Sequence, residues 1–204
     1  MKTIKKAKLA SKFIGLIFFL FAFSYANAQV LTNKKTDLNK PEAQIQEDVL
    51  WSVKAYRPDD NLLKIKAIDK AGNVYDVKAI QDSPDTKILN VKVLFKNKVL
   101  PIKLIAKDNE MYYPAKAIDE NGNLLEIKAI TEDGTYLDVK GIRKTGNIIH
   151  MRAITSDSDF YNIVAVSPKG KVNTVKGVKM IDADEESVIN GVSIFAHLKA
   201  ISQK

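Results

Sequence analysis

The sequence predicts an all-β fold: an antiparallel up-and-down meander of about twelve short strands, closed as a barrel or folded as a sandwich. Three observations carry this expectation. A short phrase returns at a 12-residue spacing, as in Leu63-Lys-Ile-Lys-Ala-Ile68, Tyr75-Asp-Val-Lys-Ala-Ile80 and, later, Leu125-Glu-Ile-Lys-Ala-Ile130. Within each phrase apolar and charged residues alternate, which is the period of a strand and not of a helix. Between phrases a glycine recurs in the turn, at Gly72, Gly122, Gly134, Gly146 and Gly170, where a hairpin needs a residue with φ > 0.

The chain starts with an address. Lys2, Lys5, Lys6, Lys8 and Lys12 precede an apolar run, Phe13 to Phe23, that is too short to span a bilayer, and Ala26-Asn-Ala28 is a small-x-small cleavage site. Residues 1–28 are therefore expected to be a signal peptide that exports the chain by the general secretory route to the periplasm or the extracellular space. All five charges in this segment are lysines, so the formal +8 of the whole chain becomes +3 over residues 29–204. That small excess gives no reason to expect nucleic acid as a partner. The chain has no cysteine, which excludes disulfides, thiol nucleophiles, thiolate metal sites and an N-terminal lipid-bearing cysteine. Residues 29–48 lack periodicity and are rich in polar side chains, and they read as a flexible leader. Residues 49–204 form the β-repeat domain.

Each repeat unit carries one small slot after its central basic residue, beginning with Ala55, Ala67 and Ala79 and ending with Gly177 and Ala200. The fourth unit places Phe95 in this slot and the fifth places Ala106. The stretches 88–96 and 100–107 are degenerate, and Pro101 suggests an irregular or edge position there. An insertion, Asp182 to Asn190, separates the last two strands.

Antiparallel pairing follows from complementarity across each hairpin. With Lys70-Ala-Gly72 at the tip, Ile68 faces Val74, Ala67 faces Tyr75 and Lys66 faces Asp76. The same rule pairs Lys116 with Glu126 and Lys128 with Asp138, and pairs Glu126 with Lys140 one register further out. It also sets Ala129 opposite Leu137, Gly141 opposite Ile149 and Ala153 opposite Tyr161. Parallel stacking would instead align lysine with lysine, which is unfavourable. Lys66, Asp76, Lys116, Glu126, Lys128, Asp138 and Lys140 are thus expected to form a structural charge ladder that holds register. A reading of this belt as a surface for a charged polymer is the functional alternative.

Other candidate sites carry less. His150 and His197 occupy one repeat slot but are expected three strand spacings apart, about 14 Å, too far to share a metal ion. Asp182, Asp184 and Glu185, with Glu186 beside them, are weak calcium candidates because they lack a dedicated loop pattern. Trp51, Tyr112, Tyr113, Tyr136, Phe160 and Tyr161 could stack on sugar, but most fall on apolar slots that predict packing. Tyr112-Tyr113-Pro114 is the exception, beside an irregular region. No Gly-x-Ser-x-Gly, His-Glu-x-x-His or phosphate loop occurs. No catalytic or cofactor-binding residue is therefore assigned, and no enzyme activity or cofactor is expected.

The repeated Val77-Lys-Ala-Ile80 phrase, following a signal peptide, resembles that of uncharacterised secreted repeat proteins of Gram-negative bacteria. The resemblance covers most of residues 29–204 and implies no assigned activity. The expectation is an exported, non-catalytic β-repeat domain with a binding or structural role in the periplasm or at the cell surface. Its partner is unknown and could be a protein, a glycan or a small apolar ligand. The alternatives are a carrier holding an apolar ligand inside a barrel, and an outer-membrane barrel. Membrane insertion is not expected, because spanning strands need ~9–11 residues.

Overall fold

The computed structural model describes residues 49–83, 85–106, 112–181 and 183–202. The predicted signal peptide, the leader, Pro84 and Asp182 lie outside the described residues. Alternation makes strands of the repeat units: in Leu63-Lys-Ile-Lys-Ala-Ile68 the apolar Leu63, Ile65 and Ala67 are buried while Lys64 and Lys66 point outward. The strands are β1 (Leu50–Tyr56), β2 (Leu63–Ile68), β3 (Val74–Ile80), β4 (Ile88–Phe95), β5 (Lys98–Ile105), β6 (Tyr113–Ile118), β7 (Leu124–Ile130), β8 (Tyr136–Thr145), β9 (Ile148–Ile154), β10 (Phe160–Val166), β11 (Val172–Val178), β12 (Ser187–Ile189) and β13 (Val192–Ser202). All belong to one antiparallel sheet. The thirteenth strand beyond the twelve expected is β12, which forms a hairpin with β13 inside the insertion.

Each strand from β1 to β11 pairs with its successor in sequence, up to β11. Further pairings close this meander on itself. Among the described residues every strand except β12 has at least three partners. Strand β2 shows how. One of its edges follows β7 from Lys64 to Ile68. Its other edge is divided, with Leu63 and Lys64 on β1 and Lys66 to Ile68 on β3.

Repeated along the chain, this division makes four three-strand junctions: β1–β2–β3, β4–β5–β13, β6–β7–β8 and β9–β10–β11. Within a junction each strand pairs briefly with the other two. Between junctions run six further pairings, β1–β10, β2–β7, β3–β4, β5–β6, β8–β9 and β11–β13. Each junction is joined to each of the other three once, which is the connectivity of a tetrahedron. The sheet so closed leaves β12 as its open edge among the described strands, and unpaired edges are what invite aggregation.

The core lies inside this network. Val53, Ile65 and Val77 sit inward at the centre of the first junction, and Val91, Ile102 and Leu198 at the centre of the second. Leu104 is fully buried, and its Cδ1 lies 2.8 Å from where a Cβ would stand on Gly141 and 2.6 Å from where one would stand on Gly177. The missing methyl groups leave room for that leucine.

The hairpin partners match the sequence reading at most positions. Lys66 faces Asp76, Ala67 faces Tyr75, Lys116 faces Glu126, Lys128 faces Asp138, Ala129 faces Leu137 and Ala153 faces Tyr161. Gly141, expected opposite Ile149, faces Met151, because a bulge between Gly141 and Arg143 inserts a residue into β8. Lys140 does not pair with Glu126; it is aligned with Pro114 and Arg152. The slots of the fourth and fifth units fall two residues earlier than expected. Lys78 aligns with Lys92 and Lys116 with Lys103, so the slots belong to Val93 and Leu104. The cause is a local departure from the 12-residue period; Phe95 pairs with Lys98 across only Lys96 and Asn97, with Lys96 at φ 53°. Hairpins such as β2–β3 instead use a five-residue loop, where Asp69 N–H donates to Asn73 O and Gly72 N–H to Asp69 O, while Gly146-Asn147 between β8 and β9 is a second two-residue turn. Pro101 and Pro114 occur where a strand edge changes partner, a position that tolerates a residue without an N–H.

Candidate functional site

The outer surface of each junction is set by register. One central basic residue comes from each strand, and its cross-strand neighbour is the residue two places before the next central one. In the β4–β5–β13 junction Lys92 faces Pro101, Lys103 faces His197 and Lys199 faces Asn90. Lys92, Lys103 and Lys199 are therefore mutual diagonal neighbours, with backbones about 7–8 Å apart. The same rule groups Lys54, Lys66 and Lys78 in the first junction, and Lys116, Lys128 and Lys140 in the third. The fourth holds Arg152, Val164 and Lys176.

The pairings between junctions place like charges opposite each other. Lys66 faces Lys128, Lys78 faces Lys92, Lys103 faces Lys116, Lys140 faces Arg152 and Lys176 faces Lys199. The aversion of like charges argued correctly for antiparallel hairpins, but it does not govern these contacts. A long lysine stem can cover apolar surface while its ammonium reaches water, so backbone alignment does not force the charges together.

The predicted ladder is divided between two junctions. In the third, Lys116 reaches Glu126, Lys128 reaches Asp138 and, at 3.8 Å, Glu126, and Lys140 lies 3.0 Å from Asp138. Hydrogen bonding from Lys128 holds the Asp138 carboxyl below the ordinary aspartate range. In the first, Lys66 reaches Asp76, whose carboxyl is lowered chiefly by that contact. Lys78 Nζ donates to Ser52 Oγ at 3.3 Å, and burial, then the charge of Lys64, lowers the Lys54 ammonium, with Asp76 opposing.

The second junction is built differently, and sequence reasoning did not single it out. Lys103 Nζ donates to His197 Nδ1, and Lys199 Nζ donates to Asn90 Oδ1. His197 Nε2 lies 3.1 Å from Glu186 Oε2, an ion-pair distance out of line for a hydrogen bond. The Glu186 side chain is only 3% exposed, and its Oε1 accepts from the Met180 and Ile181 N–H groups. Burial, then the charge of Lys103, pushes the His197 imidazole below its usual value, so the ring is neutral and accepts from Lys103 at Nδ1. Burial, then Lys92 and Lys199, pushes the Lys103 ammonium down to about 8. Lys92 is lowered by burial and by Lys199, with Asp82 opposing. The signal available in the sequence was a central lysine in strands whose facing residues, Asn90, Pro101 and His197, include no acid.

The remaining sequence candidates disperse. His150 and His197 flank β11, aligned with Lys176 and Val178. They are thus two strand spacings apart and not three, and each meets a lysine: His150 Nδ1 is 3.2 Å from Lys176 Nζ. Asp184 and Glu185 are exposed, and among the described residues no group of three acidic or imidazole side chains is placed to hold a metal ion. Trp51 and Tyr161 are buried, Tyr113 stacks on Phe195 at 3.7 Å between ring centroids, and Tyr112, Tyr136 and Phe160 are exposed. The Phe160 ring lies under the Arg152 guanidinium at 4.8 Å.

Against known proteins, one family model matches residues 47–201, and its description is a family of unknown function (DUF7486). No curated protein and no solved structure matches the chain.

Proposed function

This chain belongs to DUF7486, a family of unknown function, and we propose that it is an exported, non-catalytic β-repeat module that binds an acidic glycan in the periplasm or at the cell surface. One observation carries the reading: five of the six pairings between junctions set basic residue against basic residue. A ladder serving register alone would gain by replacing one member of each pair with an acid. Retaining both charges leaves basic residues in excess along these pairings, and such surfaces attract polyanions. Export rests on the basic, apolar and Ala-Asn-Ala segments of residues 1–28.

The two other readings have less support. Leu104 fills the space left by Gly141 and Gly177, where a carrier would keep room for its ligand. Apolar side chains face inward and lysines outward, the reverse of a membrane-spanning barrel.

The test is retention of residues 29–204 on immobilised acidic and neutral polysaccharides over a salt gradient. The expected result is retention on the acidic support alone, released by salt and weakened when Lys54, Lys66 and Lys78 are changed to Gln together. Equal behaviour on both supports, or no retention at low salt, overturns the glycan reading. Cell fractionation of the full chain tests export.

A further inference from the structure

We propose that the outer face of the β4–β5–β13 junction is a binding site for one oxyanion group (a phosphate, sulfate or carboxylate) held by Lys92, Lys103 and Lys199. The inference rests on the reading that the lysine shell recognises anions, and it names the group and the place.

The four junctions share one geometry and differ in what faces the lysines. In the third, Glu126 and Asp138 already engage all three. In the first, Asp76 takes Lys66. In the fourth, Val164 replaces one base, and Arg152 is committed to the Met151 carbonyl and the Phe160 ring. Only the second sets three lysines around a centre with no carboxylate in contact with any of them among the described residues. Its buried acid, Glu186, stands behind His197, and Asp82 receives the Asn90 side-chain amide at 2.9 Å.

Three ammonium groups 7–8 Å apart at their backbones can close on a common point, since each lysine arm is about that long. Bringing them together on a half-buried surface is costly without an anion. Burial first, and then the charges of Lys92 and Lys199, lower the Lys103 ammonium. The neutral His197 and the Asn90 carbonyl oxygen hold the arms of Lys103 and Lys199 over the junction. Positioning by neutral acceptors leaves the charges unspent, which an anion site requires. Lys78, Lys116 and Lys176, aligned with the three lysines from β3, β6 and β11, add to the field.

The experiment titrates residues 29–204 with inorganic phosphate, sulfate and acetate at constant ionic strength, following backbone amide resonances. Saturable shifts are expected in β4, β5 and β13 around Lys92, Lys103 and Lys199. Lys103→Met and Lys92→Met should each weaken the phosphate response at least ten-fold, whereas Lys128→Met, in the third junction, should leave it unchanged. Non-saturating shifts, or equal responses in K103M and the unchanged protein, overturn the site. A second arm uses a phosphorylated oligosaccharide and its dephosphorylated form. If free phosphate saturates the junction and no acidic glycan binds, the site stands and the glycan reading fails. If the glycan binds without shifting these amides, the site fails and the glycan reading stands.

Discussion

Leu104 occupies the volume that a side chain on Gly141 would need, with its Cδ1 2.8 Å from the Cβ position, and Ile149 Cγ2 closes the same space at 2.6 Å. The glycine is there for packing and not for its backbone freedom. Gly141→Ala should therefore overpack the core and destabilise the domain by about 1–3 kcal/mol. In combination with Leu104→Ala the two losses should be less than additive by about 0.5–3 kcal/mol. Urea denaturation of the four proteins of the cycle measures this, and strict additivity would contradict the contact.

Gly122 and Gly72 close equivalent turns at φ 78° and 85°, but only Gly122 has a neighbour, Asn190 O, 2.3 Å from its Cβ position. Gly72→Ala should cost about 1–2 kcal/mol for the left-handed conformation alone. Gly122→Ala should cost more, because it also displaces the Asn190 turn, whose side-chain amide donates to Asp119 O at 2.7 Å. Thermal denaturation of the pair separates strain from docking, and equal losses would deny the docking contact.

Stability should rise with pH on the alkaline side. The Lys103 ammonium is lowered to about 8 in the folded state and is near 10.4 when unfolded. Between those values the unfolded chain binds more protons, so folding strengthens as pH increases. After solvent screening of a half-exposed group the gain is on the order of 1–2 kcal/mol. Lys103→Met should be more stable than the unchanged protein at pH 7 and should flatten this rise. Denaturation midpoints from pH 7 to 10.5 give the comparison; a K103M protein less stable at pH 7 would contradict it.

On the acid side the sign is opposite. Asp76 and Asp138 have folded carboxyls held below their unfolded range, chiefly by Lys66 and Lys128. Their contribution is present above about pH 4 and is lost as pH falls through the folded values. Lys128→Met should shrink the acid-induced loss, measured as the change in midpoint between pH 5 and pH 2.5. An unaltered loss would place acid sensitivity elsewhere.

The hairpins were legible because each is local: a turn of known length fixes that Lys66 meets Asp76 and Ala129 meets Leu137. Lys66 against Lys128 was not, since nothing local records which distant strand shares an edge. A divided edge, serving β1 and β3 at once, also leaves no mark in a binary pattern. Phe95 took the slot of Val93, and Ala106 that of Leu104, because the spacing here leaves the 12-residue period: Lys78, Lys92, Lys103 and Lys116 follow one another at 14, 11 and 13 residues. At the second junction, Lys92, Lys103 and Lys199 come from three strands far apart in sequence, and the Glu186 that backs His197 comes from the insertion. The acidic cluster was visible; the inward turn of Glu186 was not.

Strand β13 completes the junction with β4 and β5 and also ties it to β11. The final strand is thus a keystone: until it emerges, β4 and β5 lack their third member and the tetrahedral circuit cannot shut.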